Sequence, residues 1–341
     1  MCLNSEIDEK TVSQNSDLAS CGLQASEIEA SRFRCFCLAL MLSWMLTGCA
    51  TVGPVEWYVQ RNETKVDIGS SAHSPIVTYR LKPPEQSELI VESGSYFHPF
   101  HTPKGVVVTD FAPSDHKHHR GIFLGFVEMH GAADADFWGW GAHAPIKGRK
   151  IVNRDVTMQV EADKEFHLTA TNEWQANGLV LVDEVLDVKV KNRSGLNVMD
   201  LVYRITPKSD LVLSRWAFSG FCFRTRKDGE VTFYSPTGVV TLPDPSHVKP
   251  ETDWADALWY AAGLKLPDGT LAGGAVMSHP SNPPTLWHNN RGVRMINPCI
   301  VAPSELKLRA GIPLILRYRV VAFDGGIPSA QLTQLAREFQ K

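Results

Sequence analysis

The chain has 341 residues, of which 43% are hydrophobic and 21% charged, and its formal net charge at pH 7 is -3. This length allows one large or two ordinary domains, and the composition excludes wholesale disorder. The near-neutral charge and the lack of a long Lys/Arg run argue against nucleic acid as a principal partner.

The first predicted element is an export leader at residues 1–48. Arg32 and Arg34 precede a short apolar run that ends in Leu-Thr-Gly-Cys at residues 46–49. Such a segment is typical of exported proteins and is too short for a comfortable membrane span. Because Leu-Thr-Gly-Cys resembles the bacterial lipobox, we expect lipidation at Cys49 and anchoring at the cell envelope, on the outer membrane or the periplasmic face. Residues 1–30 are too acidic for a leader, which favours a start codon that has been assigned too far upstream.

Residues 49–74 mix glycine, proline, serine and charge without periodicity, which predicts a tether before a domain at 75–341. In that domain, short β-branched and aromatic segments alternate with turn sequences. The predicted strands are 76–81, 88–91, 106–109, 122–127, 179–190, 201–206, 211–216, 231–234, 271–277 and 314–323. A final short helix is predicted after Ser329, which would cap it, with Leu332 and Leu335 on its apolar face. The pattern indicates an all-β fold, one large antiparallel β-sandwich.

Three histidines, an aspartate and an arginine crowd into residues 114–121, Ser-Asp-His-Lys-His-His-Arg-Gly. Imidazole titrates near neutrality, so it serves as an acid, a base or a metal ligand. In an extended chain His116 and His118 would share one face and His119 the other. We predict that His116 and His118 exchange protons with a substrate and that Arg120 stabilises developing negative charge. The predicted catalytic residues are Asp115, His116, His118, His119 and Arg120.

Two other interpretations of this motif stay open at this point. A divalent metal could be held by His116, His118 and a distant histidine such as His279, although no cofactor is favoured. The motif could also be a hydrogen-bonded structural knot. The sequence has no G-x-G-x-x-G after a strand, no phosphate loop, no H-E-x-x-H and no G-x-S-x-G. These absences argue against dinucleotide enzymes, ATPases, helical zinc peptidases and α/β-hydrolases.

Further polar and aromatic groups supply candidate substrate-binding residues. Asp136 and Trp138 lie in a segment where an indole face can stack on a sugar and a carboxylate can bind hydroxyls, although the tryptophan can equally point into the core. A proline-rich stretch at 278–291 would present its polar side chains rigidly. These groups form one site only if the fold brings their loops together. The candidates are Trp138, Asp136, Arg224, His279, Asn282 and His288.

Taken together, these motifs resemble the bacterial family labelled "methane oxygenase PmoA", in order and with similar spacing over roughly 75–325. The resemblance is carried by 96–100, 115–121, 136–138, 220–224, 279–283, 287–288 and 316–320. The family motif usually reads Asp-His-Pro-His-His-Arg-Gly, and here Lys117 replaces the proline, which leaves a less rigid loop. The resemblance implies a β-sandwich of the galactose-mutarotase type and a role in sugar degradation.

Methane oxygenation itself does not follow from that label. The membrane subunit of such an enzyme needs several spanning helices, and no stretch after Cys49 approaches about 18 apolar residues. The sequence instead predicts a lipid-anchored envelope protein that acts on a carbohydrate or modified sugar by proton transfer, as an epimerase, lyase or hydrolase. The alternatives are a metal-dependent hydrolase or lyase and a non-catalytic glycan-binding lipoprotein. The expected partners are a carbohydrate or other small molecule and, through Cys49, the membrane.

Overall fold

The computed structural model describes residues 56–71, 75–161 and 165–341, so the predicted leader and Cys49 lie outside the described residues. In chain order the strands are β1 Trp57–Arg61, β2 Lys65–Ser70, β3 Val77–Arg80, β4 Tyr96–Phe100, β5 Ile122–Gly125, β6 Met129–His130, β7 Arg149–Val160, β8 Phe166–Ala176, β9 Leu179–Arg193, β10 Leu196–Pro207, β11 Leu211–Leu213, β12 Gly220–Arg224, β13 Glu230–Ser235, β14 Gly238–Val239, β15 Tyr260–Lys265, β16 Leu271–Ser278, β17 Leu286–Trp287, β18 Met295–Ile296, β19 Pro298–Cys299, β20 Leu306–Leu308 and β21 Leu314–Asp324. A 3₁₀ turn spans Pro250–Thr252, and the helix α1 spans Ser329–Phe339.

These strands form two large antiparallel sheets. One has seven strands in the order β1-β2-β3-β4-β5-β12-β18, and the other has nine in the order β14-β13-β15-β16-β21-β10-β9-β8-β7. A three-stranded sheet, β20-β11-β6, and the two-stranded sheet β17-β19 are the other sheets in the described part of the chain. Along β9 and β10 buried and partly exposed residues alternate, as expected for strands with one face in a core.

The inner faces of the two large sheets pack on each other. Phe221 of β12 stacks on Tyr318 of β21 with ring centroids 4.2 Å apart, and Tyr203 of β10 lies against both rings. Tyr79 of β3 likewise reaches Asn172 of β8. The fold is therefore the antiparallel β-sandwich that the sequence predicts.

The predicted C-terminal helix is confirmed as α1, and it covers the outer face of the nine-stranded sheet. Leu332 and Leu335 pack with Val321 and Phe323 of β21. Ser329 is the first residue of the helix rather than its cap, because Pro328 occupies the cap position without a side-chain hydrogen bond. No helix within the described ranges is long and apolar enough to cross a membrane.

Several predicted boundaries need correction. The predicted tether at 49–74 is too long, because β1 and β2 pair with each other and β2 pairs with β3, which buries Val66 and Ile68. Segment 88–91 is not a strand but lies along the histidine motif, where Ile90 N donates to Lys117 O at 3.1 Å. Segment 106–109 makes isolated bridges only.

Candidate functional site

The histidine motif forms two consecutive tight turns rather than a strand. His116 N donates to Pro113 O and His119 N donates to His116 O, each at 2.9 Å. The expected separation of His119 from the other two rings is therefore wrong, because alternation of faces requires extended backbone. The ring centroids lie 5.6 Å apart for His116 and His118, 4.9 Å for His116 and His119, and 4.5 Å for His118 and His119.

Arg120 joins this loop to the loop between β6 and β7, residues 131–148, which is called here the tryptophan loop. Its fully buried guanidinium donates to His118 O at 3.1 Å and Trp138 O at 3.2 Å from one nitrogen, and to Phe137 O at 2.9 Å from the other. It also lies 4.0 Å from the ring centroid of Phe123. Burial lowers the pKa of Arg120 to about 10. Nη1 and Nη2 are directed at backbone carbonyls and hold the two loops together, while Nε is buried without a hydrogen-bond partner.

Asp136 shapes the tryptophan loop from within. Its two carboxylate oxygens accept from Gly139 N at 2.6 Å and Gly141 N at 2.7 Å. Burial raises the pKa of Asp136 to about 6, against these backbone hydrogen bonds. Gly139 has φ +108°, and a Cβ there would lie 2.6 Å from the Cβ of His118, so glycine permits the close approach of the two loops. Asp136 thus orders the loop instead of lining a cavity.

The two loops meet others at a cleft of about 150 Å³, called here the histidine cleft. Three nitrogens of its lining residues, Nδ1 of His116, Nε2 of His118 and Nε1 of Trp138, are buried without a hydrogen-bond partner. Buried polar atoms are nearly always paired, so unpaired ones facing a cavity indicate a place for a ligand or water. The side chains that line the cleft include His116, His118, His119, His247, His288, Trp138, Trp140 and Phe218.

Asp115 and Arg224 do not line the cleft, but Arg224 bonds both Asp115 and His119, which does line it. Nη2 of Arg224 lies 3.2 Å from both carboxylate oxygens of Asp115, and Nη1 donates to Nδ1 of His119 at 3.3 Å. Lys227 and His116 each lie 3.1 Å from the same carboxylate, the latter without hydrogen-bond geometry. Burial alone would raise the pKa of Asp115, but the Arg224 charge and the bonds from its other neighbours hold it well below its ordinary value.

His288 is held by a carboxylate that the sequence analysis did not single out. Its Nδ1 lies 2.7 Å from Oδ1 of Asp253, and both side chains are almost completely buried. Burial raises the pKa of Asp253, and the His288 bond opposes that shift. The pair is 35 positions apart in sequence and is brought together by the backbone bridge between Trp254 and Trp287. No local motif could have signalled it.

The three clustered imidazoles are held in their neutral form. Burial lowers the pKa of His118 to about 3 and that of His119 well below its ordinary value, and nearby positive charges add to both shifts. Burial also lowers the pKa of His116, against its contact with Asp115. Neutral imidazoles can accept a proton at one nitrogen and donate one at the other.

Two of the predicted site residues lie apart both from the cleft and from the side chains that support it. His279 shares a 2.8 Å hydrogen bond with Ser281, and its ring contacts Phe339 of α1. Asn282 exchanges two 2.8 Å hydrogen bonds with the backbone of Arg317, which fixes the loop after β16. The predicted metal set of His116, His118 and His279 is therefore not gathered. His247, Trp140 and Phe218 line the cleft although they were not among the predicted site residues.

A different group meets metal-ligand spacing within the described part of the chain. Ligand atoms of Glu161, Glu165 and His167 lie within 4.8 Å of one another. Lys191 approaches Glu165 at 2.5 Å and Lys189 at 3.2 Å, so positive charge already occupies this edge of the sheet. The arrangement is that of an ion-pair network on β8 and β9.

Residues 66–337 match the model of a family described as a family of unknown function, DUF6807. The chain belongs to this family. No curated protein matches it. The resemblance to the PmoA-labelled family stays a prediction.

Several solved structures are similar at low identity. The galactosidase domain of the α-galactosidase–sucrose kinase AgaSK is 9% identical, with a TM-score of 0.42 over 79% of this chain and 42% of that one. A galactose mutarotase related enzyme from Lactobacillus acidophilus is 7% identical, with a TM-score of 0.35 over 79% and 97%. The α-galactosidase AgaA from Geobacillus stearothermophilus, in complex with stachyose, is 8% identical, with a TM-score of 0.37 over 84% and 43%. The chain thus spans less than half the length of the two galactosidase chains.

Proposed function

We propose that this member of the DUF6807 family is a carbohydrate-active enzyme that transfers protons at the histidine cleft. The observation that carries the proposal is that two imidazoles of one cavity each bond a different kind of partner through Nδ1, a carboxylate in His288 and a guanidinium in His119. The carboxylate of Asp253 accepts from Nδ1 of His288, which leaves Nε2 of His288 free to accept a proton. Arg224 donates to Nδ1 of His119, so the hydrogen of that neutral ring is on Nε2.

In this proposal His288 is the base and His119 the donor. Nε2 of His288 would take a proton from carbon or from a hydroxyl, while Nε2–H of His119 donates to the oxygen that gains negative charge. Asp253 would stabilise the imidazolium formed on His288, as a carboxylate does beside a catalytic histidine. In elimination the base takes a proton from carbon, and in hydrolysis it takes one from water; in both, the donor protonates the oxygen that leaves as its C–O bond breaks. In epimerisation at a hemiacetal carbon the base takes the hydroxyl proton while the donor protonates the ring oxygen as the ring opens.

The lining of the cleft favours a sugar as the ligand. Trp138 and His118 offer one unpaired donor and one unpaired ring nitrogen, which suit the alternating donor and acceptor character of hydroxyl groups. Trp140 and Phe218 add apolar ring surface on which the C–H faces of a sugar can pack. A volume of about 150 Å³ leaves room for a small ligand of roughly one sugar ring.

The proposal is tested by incubating the protein with a panel of neutral sugars, uronic acids and their glycosides in D₂O. Proton NMR reports deuterium incorporation, changed stereochemistry, unsaturated products or new reducing ends. His288→Ala should lower the rate about 10²- to 10⁴-fold, the usual contribution of a general base. Asp253→Asn should also lower it, because the wrong ring nitrogen of His288 would then carry the proton.

His279→Ala is the matched control, because His279 lies outside the cleft, and its rate should equal that of the wild type. Equal rates in the wild type and His288→Ala would refute the assignment of the base. A sugar that binds but stays unaltered through prolonged incubation would instead favour the non-catalytic glycan-binding alternative. Melting temperatures of all variants show whether a lost rate reflects lost folding.

A further inference from the structure

A continuous row of rings leads from the histidine cleft to the protein surface. Trp140 lines the cleft and is 37% exposed, so it stands at the mouth. Its ring centroid lies 5.2 Å from that of Phe218, and Phe218 lies 6.3 Å from Trp216. The ring of His143 follows, 4.5 Å from Trp216. These four residues, Trp140, Phe218, Trp216 and His143, are called the aromatic strip.

The outer part of the strip is held in place by charged neighbours. Nε1 of Trp216 donates to Oε2 of Glu128 at 2.8 Å. The other oxygen of Glu128 shares a 2.7 Å hydrogen bond with His130, whose second nitrogen lies 2.8 Å from Asp134. This chain of bonds fixes the indole before any ligand arrives, so little conformational entropy is lost on binding. It also places a carboxylate, a strong acceptor for hydroxyl groups, beside a flat apolar face.

We propose that the aromatic strip binds the second ring of a saccharide whose first ring occupies the histidine cleft. The preferred substrate would then be a disaccharide or longer chain rather than a free monosaccharide. This inference rests on the proposed function, because it takes the cleft as the position of the reacting ring. It adds the length of the substrate, which the cleft alone does not indicate.

Three observations favour this occupant over others. The cleft has room for about one ring, and Trp140 belongs both to its lining and to the strip, so the strip offers a continuous surface for a second ring. The carboxylate of Glu128 lies at Trp216 of the strip and is joined through His130 to Asp134, so an apolar protein partner would have to bury these charges. Flat rings beside a carboxylate match the two kinds of surface on a pyranose, its C–H face and its hydroxyl edge.

The test uses the full chain and two defined series, the β-1,4- and α-1,4-linked glucose oligomers of one to four units. Calorimetry measures the affinity of each member for the wild type and for Trp216→Ala. We expect the two-unit member of one series to bind about tenfold more tightly than glucose, in line with one well-oriented aromatic contact plus its buried area. Trp216→Ala should remove that gain and leave the affinity for glucose unchanged.

Two further variants act as controls. Ile312→Ala removes an exposed apolar side chain, 62% accessible, that is not part of the strip, and it should change neither affinity. Trp216→Phe keeps a ring but loses the bond to Glu128, and it should retain part of the gain for two units. Melting temperatures close to that of the wild type confirm that each variant is folded.

The inference is overturned if no member of either series binds, if one and two units bind equally, or if Trp216→Ala weakens both alike. Self-association that depends on Trp216, measured by analytical ultracentrifugation, would assign the strip to a second copy of the chain and also overturn it. Tighter binding of the longer oligomers without any turnover would support the binding role of the strip and refute the proposed function. Turnover of monosaccharides alone would support the proposed function and refute the binding role of the strip.

Discussion

His118 shows how the environment of one residue sets the chemistry of the cleft. Its side chain is 6% exposed, and its Nε2 has no hydrogen-bond partner among the described residues. Two other imidazoles and two buried arginines surround it, so a proton on this ring would meet both desolvation and positive charge. The ring therefore stays neutral at physiological pH and is available to a ligand through an unoccupied nitrogen.

This burial makes stability depend on pH. The unfolded chain binds a proton at His118 below about pH 6.5, whereas the folded protein does not until about pH 3. Because the unfolded state holds more protons in that window, the free energy of unfolding falls as the pH falls, by up to about 1.4 kcal/mol per pH unit at this residue. Thermal unfolding of the wild type and His118→Gln between pH 7.5 and 4.5 should show a smaller decline in the variant. Equal slopes for the wild type and His118→Gln would contradict the assignment.

For single residues, the sequence indicates which side chains can act as acids, bases or ligands, but it does not indicate which partners their polar atoms bond. The histidines of the motif, together with Trp138 and His288, do meet at one cleft, as the clustering of imidazoles suggests. Arg120 and Asp136 belong to the same motifs, yet Nη1 and Nη2 of Arg120 and the carboxylate of Asp136 bond backbone groups of the tryptophan loop. Such bonds depend on how two loops pack, which spacing in the sequence does not encode.

At the scale of elements, a buried carboxylate links the two large sheets. Glu184 lies on the inward face of β9, where its Oε2 accepts from Trp174 Nε1 at 2.7 Å. Its Oε1 accepts from Asn172 at 2.7 Å and from Ser95, which precedes β4, at 3.0 Å. Burial raises the pKa of Glu184, and these three donors oppose the rise. The network satisfies every group that the carboxylate meets, so it specifies how the sheets are aligned.

Glu184→Gln should destabilise the protein by about 1–3 kcal/mol, because one acceptor becomes an NH₂ group that faces an existing donor. Urea denaturation measures the free energy of unfolding. Asp183→Asn is the matched control on the outward face of the same strand, where its pairing with Lys208 is solvent-accessible, and the expected change there is within about 0.5 kcal/mol. A Gln variant as stable as the wild type would show that the network adds nothing to the packing of the sheets.

The sequence predicts several long strands of the sandwich core, but it misses the interior strands β4, β8, β12 and β15 as well as the edge strands β1 and β7. Strands such as β9, β10 and β21 bury one or both faces, so their apolar periodicity is strong. β7 was not predicted, because it is the last strand of its sheet and only Ile151 and Val156 are buried along its length. β1 also ends a sheet and buries no residue completely, so its pattern resembles that of a tether. Pairing with a neighbour, rather than hydrophobic patterning, defines these strands.

At the scale of the whole molecule, the sequence establishes the all-β class and the C-terminal helix, and the structure agrees with both. Location is a separate property that depends on the leader, which lies outside the described residues. We propose that the protein is lipid-anchored at the cell envelope. Only residues 50–56 separate Cys49 from β1 at Trp57, so lipidation would hold the sandwich close to a membrane surface.

Anchoring predicts that a bacterium expressing the chain places it in the membrane fraction, from which detergent but not high salt releases it. Intact-mass analysis should show a mature chain that begins at acylated Cys49, because one diacylated cysteine with an amide-linked chain anchors more firmly than a single acyl group. Cys49→Ser should shift the protein to the soluble fraction or leave an unprocessed precursor. Cys35→Ser is the matched control, since Cys35 lies within the leader but outside Leu-Thr-Gly-Cys, and it should change neither mass nor fraction. A wild-type protein that is soluble and retains residues 1–48 would exclude both export and lipidation, and the carbohydrate substrate would then have to be sought inside the cell.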